Sequence, residues 1–140
     1  MDKMDVQPKK ALVDKWESAG FITDRRLIDA FMQVAREDFV QKESIEEAYA
    51  DYALPILEGQ TISQPSTVMF MLQEADLQND QRVLEVGAGS GYNAALISKL
   101  VKEVITTEIV PELADYAEKN LNKAGISNVR VVQADGSMGF

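Results

Sequence analysis

Apolar residues in the first half of the chain recur at helical spacing. Pro8 is placed to open a helix that carries Leu12, Val13 and Trp16 on one face and ends at Gly20. Thr23 is placed to cap a second helix, in which Leu27, Ile28, Phe31 and Val34 form a buried stripe. Ser44 and Glu47 have the spacing of a capping box for a short third helix. Periodicity lapses between Tyr52 and Ser66, where Pro55, Gly59 and Pro65 punctuate a loop. Pro65 then opens a helix with Val68, Met69, Leu72 and Ala75 on its apolar face, and Met69, Phe70 and Met71 read as core packing.

From Arg82 the pattern changes. Val83 to Val86, Val104 to Thr107 and Val129 to Val132 are short apolar or β-branched runs of strand type. Between them lie two helical stretches: one carries Ala95, Leu96 and Leu100, and the other runs from Pro111 through Leu113, Ala117 and Leu121 to Gly125. Strands joined by crossover helices run parallel, and right-handed crossovers give the order 3-2-1. The expected architecture is therefore α/β. Residues 1–80 form an N-terminal helical segment with a loop at 52–66, and residues 81–140 form the first half of a doubly wound sheet.

Composition narrows the chemistry. The 140 residues contain no Cys and no His, which excludes disulfides, thiolate or imidazole metal sites and a histidine general base. No metal site is expected. A formal charge of −9 argues against binding to a nucleic-acid backbone, which needs concentrated Lys and Arg. The acidic cluster Glu43, Glu46, Glu47 and Asp51 reads as a solvated helix face. No apolar run is long enough to span a bilayer and the first residues do not resemble a signal peptide, so the expected location is the cytoplasm, without membrane attachment.

Candidate chemistry gathers at the ends of the three strands. Gly87, Gly89 and Gly91 lie between the first strand and its helix, where backbone can approach a ligand closely and the helix start is expected to offer N–H groups. Their G-x-G-x-G spacing is one residue short of the dinucleotide fingerprint, and there is no P-loop. Glu108, ending the second strand, has the chemistry to accept hydrogen bonds from both hydroxyls of a ribose. Asp135 and Gly136 occupy the same place after the third strand. Glu85 interrupts an otherwise apolar strand, which is costly unless its carboxylate is bonded.

The run Val83 to Tyr92 resembles the first motif of class I S-adenosylmethionine-dependent methyltransferases, with Glu108 and Asp135-Gly136 matching the next two. Upstream, Leu54-Pro55-Ile56, the segment Gly59 to Pro65 and the segment Val34 to Val40 resemble protein-L-isoaspartate (D-aspartate) O-methyltransferases. The resemblance implies a Rossmann-like methyltransferase sheet and a protein-repair activity. A methyl group would pass from S-adenosyl-L-methionine to the α-carboxylate of an L-isoaspartyl residue in a damaged protein or peptide. It places Ser63 at the active site. It also assigns Gln60, Thr61, Ile62 and Ser63, together with Glu85, Gly87, Ala88, Gly89, Gly91, Glu108, Asp135 and Gly136, to the cofactor.

That chemistry is compatible with the residues present. A carboxylate nucleophile is already ionised at neutral pH, so the absence of histidine costs nothing. Ser63 would donate a hydrogen bond, and a turn or capping role beside Pro65 competes with that one. The sequence departs from the family at Ala35, where a proline is common, and at Ser66, where an aromatic residue or histidine is usual. Family members also continue beyond Asp135-Gly136, so a truncated chain is expected, with the first strand exposed for possible self-association. Two alternatives stay open: a catalytically silent cofactor-binding or interaction module, and a class I methyltransferase with another substrate.

Overall fold

The computed structural model describes residues 3–140. Helix α1 (Lys3–Ser18) begins upstream of Pro8, which lies inside it and not at its start. A proline there removes one ladder hydrogen bond, and the helix continues through it to bury Leu12, Val13 and Trp16. Helix α2 (Arg25–Gln33) is capped by Asp24, whose carboxylate accepts from Arg26 N at 3.0 Å. Thr23 does not cap it. Its N–H donates instead to Gln73 Oε1 at 2.7 Å, a side chain from a distant helix.

Residues Lys42–Glu47 form a 3-10 helix, not a capped α-helix, with Ser44 turned inward and buried. The segment after it contains a small antiparallel hairpin, β1 (Leu54–Pro55) with β2 (Thr61–Ile62), where the sequence shows only loop. Helix α3 (Pro65–Ala75) starts at Pro65 as its sequence predicts. Val68, Met69 and Leu72 are buried, but Phe70 and Met71 are exposed: Phe70 stacks on the Phe21 ring at 5.7 Å on one side of α3, and Met71 faces the opposite side, into the cleft described below. Ala75 is likewise exposed.

The second half is β3 (Arg82–Val86), α4 (Tyr92–Ser98), β4 (Glu103–Glu108), α5 (Pro111–Lys123) and β5 (Val129–Gln133). The three strands are parallel in the order β3-β4-β5, with β4 central, which is the predicted 3-2-1 order. The fold is thus the Rossmann-like α/β type, preceded by a helical segment. The core is continuous from Trp16, Phe31 and Phe39 through Tyr92 and Leu96 to Leu113 and Leu121. One buried cation stitches the helical part: Lys9 Nζ donates to Met32 O at 3.1 Å and Val34 O at 3.0 Å, carbonyls at the end of α2. Among the described residues no helix is long and apolar enough to cross a membrane.

Candidate functional site

The turn from β3 into α4 is built by glycines. Gly87, Gly89 and Gly91 have φ of 90°, 53° and 91°, a region that L side chains rarely enter. A Cβ on Gly91 would stand 3.2 Å from Ala117 O, so α5 packs directly against the loop. Gly87 N and Ala88 N both donate to Thr107 O, at 2.8 and 2.9 Å, and Gly91 N donates to Ala88 O at 2.9 Å. Gly89 N donates to Glu108 Oε1 at 2.9 Å, and Tyr92 N to Ser90 Oγ at 3.2 Å. The sequence leads one to expect N–H groups offered to a ligand. These five are held by the protein itself, four of them in the turn and one, Tyr92 N, at the start of α4.

Carboxylates dominate the strand ends instead. Glu85 accepts from Thr106 Oγ1 and from Asn93 Nδ2, each at 2.6 Å, which answers the cost of an acid inside β3. Burial nevertheless raises its pKa; the two hydrogen bonds oppose the rise and nearby Glu108 adds to it. Glu108 is buried, and its second oxygen accepts from Val110 N at 3.1 Å. Asp135, exposed after β5, is held below the usual carboxylate range by the hydroxyl and N–H of Ser137, at 2.7 and 3.0 Å. Gly136 lies against the ends of β3 and β4. A Cβ there would collide with Thr107 Oγ1 and approach Val86 Cγ1 to 2.9 Å.

The upstream loop faces this turn. Ile56 N donates to Gln60 O at 2.9 Å, closing the β1–β2 connection through Glu58 and Gly59, both at positive φ. A Cβ on Gly89 would touch Ile56 Cδ1 at 3.9 Å, so the two loops abut. Asp51 anchors the start of α3. Its carboxylate accepts from Ser66 N at 3.0 Å, Ser66 Oγ at 2.6 Å and Lys15 Nζ at 3.3 Å, while Trp16 Nε1 donates to Ser66 Oγ at 2.8 Å. Asp51 is therefore not part of a solvated acidic face. Burial pushes its pKa up, but the Ser66 and Lys15 interactions outweigh that and leave it low.

Between the loops lies a cleft of about 410 Å³. Thr61, Ile62 and Ser63 line one side, Val68 and Leu72 of α3 another, and Glu85 with Gly87, Ala88 and Gly89 a third. Gln60, Gly91, Glu108, Asp135 and Gly136 are not in the cleft wall. Glu108 reaches it through Gly89 and Gly136 abuts its neighbour Val86, whereas Gln60 is occupied with closing the hairpin. Asn93 and Thr106 escape sequence reasoning, because nothing local marks them as the donors to Glu85.

Comparison with known proteins bears on this geometry. The model of the protein-L-isoaspartate(D-aspartate) O-methyltransferase family matches residues 7–140. A protein-L-isoaspartate O-methyltransferase from Myxococcus xanthus is 50% identical over 119 residues, covering 85% of this chain and 56% of the relative. One from Methanopyrus kandleri is 43% identical over 143 residues, covering 99% of this chain and 63% of its own length. The chain thus spans less than two thirds of these relatives. A solved protein-L-isoaspartate O-methyltransferase superposes with a TM-score of 0.81 at 31% identity, over 91% of this chain and 42% of that one. A Plasmodium falciparum beta-aspartate methyltransferase, solved with S-adenosyl-L-homocysteine, shares the fold with a TM-score of 0.77 at 24% identity, over 90% of this chain and 62% of that one.

Proposed function

The chain belongs to the protein-L-isoaspartate(D-aspartate) O-methyltransferase family, and on that premise we propose that its cleft takes S-adenosyl-L-methionine and an L-isoaspartyl group side by side for carboxyl methylation. The observation that carries this reading is the shared wall: Ser63 and the Glu85–Gly89 turn line one cleft. The donor set fits the cofactor. With the N–H groups of Gly87, Ala88, Gly89 and Gly91 bonded within the protein and the carboxylates of Glu85 and Glu108 at the strand ends, the cradle suits a hydroxyl-bearing cation better than a phosphate.

Bound S-adenosyl-L-methionine supplies an electrophilic methyl group on a sulfonium sulfur. Glu108 would accept hydrogen bonds from ribose hydroxyls while still bracing Gly89, since each carboxylate oxygen has a second lone pair. Glu85, fixed by Asn93 and Thr106, would face the cationic portion, and Gly136, by having no side chain, lets the segment after β5 pack closely on Thr107 and Val86 beside the cleft. Exposed Ser63 has a hydroxyl to donate to the substrate α-carboxylate. No base is required, because that carboxylate is ionised; the protein's work is alignment. The substrates are isoaspartyl proteins or peptides.

The test is incubation with methyl-labelled cofactor and paired isoaspartyl and aspartyl peptides. Base-labile label on the isoaspartyl peptide alone is expected. Label on both peptides equally, or on neither, would reject the assignment.

A further inference from the structure

Arg36 is the least exposed charged side chain near the cleft, at 0% exposure, yet no carboxylate lies within ion-pair distance of it among the described residues. A buried cation is expensive unless its contacts satisfy it. Its contacts are unusual in their origin. Nε donates to Ala48 O at 2.6 Å, at the end of the 3-10 helix. Nη2 donates to Ser63 O at 2.8 Å, on the edge of the cleft. The guanidinium carbon lies 5.0 Å from the centroid of the Tyr92 ring, which belongs to the first residue of α4 beyond the glycine turn.

Three segments therefore meet on one planar group: the 3-10 helix, the loop carrying Ser63 and the helix that follows Gly91. A guanidinium holds its donors in a fixed fork, so the directions of these contacts are coupled. Nη1 and the Tyr92 hydroxyl complete no well-formed hydrogen bond among the described residues. The plane is thus held by the Nε and Nη2 bonds and by the Tyr92 ring. The Arg36 backbone N–H is itself tied to Tyr49 Oη at 3.0 Å, and Tyr49 donates to Glu37, which fixes the base of the side chain.

We propose that Arg36 is a positioning residue that sets the orientation of Ser63 relative to the glycine turn, through the Ser63 carbonyl on one side and the Tyr92 ring on the other. It touches neither reactant. The role rests on the proposed carboxyl-methyl transfer, in which displacement of the acceptor-holding residue by a fraction of an ångström lowers the rate. Lysine keeps the charge but loses the fork and the stacking face, so Arg36→Lys separates orientation from charge.

The experiment combines three readouts on the whole chain. In the unaltered protein, nitrogen-15 NMR should show separate, slowly exchanging Nη resonances for Arg36; a single averaged signal would overturn the proposal. In Arg36→Lys, amide exchange across residues 54–64 should accelerate about tenfold while that of α5 stays unchanged. Methyl transfer to the isoaspartyl peptide should then fall about tenfold in kcat, with the Kd for S-adenosyl-L-methionine held within about twofold. Unaltered kcat and loop exchange, or a loss of cofactor affinity in proportion to kcat, would overturn the assignment and leave Arg36 a plain core residue. If the unaltered chain methylates nothing, the proposed reaction fails, and the Arg36 contact is still judged by its resonances and, where Arg36→Lys folds, by loop exchange.

Discussion

Single residues around the strand ends do work that their neighbours cannot take over. Gly136 is constrained by space and not by backbone conformation: an added methyl would meet Thr107 Oγ1 and both Val86 γ-carbons. Gly136→Ala is expected to destabilise the fold by about 1–3 kcal/mol, read as a lower denaturant midpoint. An unchanged midpoint would mean that the tips of β3 and β4 can spread at little cost. Glu108 holds two backbone N–H groups, Gly89 and Val110, with its two oxygens. In Glu108→Gln one of them faces an amide NH2 and loses its acceptor, at a cost of about 1–3 kcal/mol. Calorimetry with S-adenosyl-L-homocysteine should show at least about tenfold weaker binding; equal affinity would remove Glu108 from the cofactor cradle.

At the scale of elements, α3 is positioned by a carboxylate that its own sequence does not contain. Asp51 receives the N–H and hydroxyl of Ser66 and the ammonium of Lys15. Its folded pKa lies below the ordinary 3.8, so its contribution to stability is complete above that value and is lost as pH falls through the folded one. The difference in unfolding midpoint between the unaltered chain and Asp51→Asn should therefore shrink on acidification from about pH 6 to about pH 3. A gap that persists unchanged would show that charge plays no part in the anchor. Ser66, a departure from the family pattern, has its physical account here, bridging Trp16 and Asp51.

The same elements show what the sequence makes legible. Strand runs and their order could be read because apolar β-branched stretches, glycine and proline act locally: β3 to β5 and the start of α3 stand where they were expected. Helix caps could not. Gln73 takes the N–H groups of Thr23 and Asp24 from across some fifty positions, which leaves Asp24 as the cap of α2. Asp51 likewise looks like one more acid in an acidic stretch until Ser66 and Lys15 are brought to it. Of the candidate site, Glu85 and the glycine turn were readable as residue types in a pattern and Ser63 only through the family resemblance, whereas the bonds of Asn93, Thr106 and Arg36 became visible only through their partners.

Taken whole, the molecule is a helical segment and a parallel sheet sharing one core, and the cleft lies where the upstream loop meets the strand ends. In the proposed function a nucleoside sulfonium settles over those ends beside Ser63. The most direct measurement is a nitrogen–proton NMR titration of the whole chain with S-adenosyl-L-methionine. Saturable shifts are expected at residues 87–91, 108, 135–136 and 61–63, with little change along the groove between Phe21 and Phe70 on the other side of α3. Shifts confined to that groove, or none at millimolar cofactor, would contradict it.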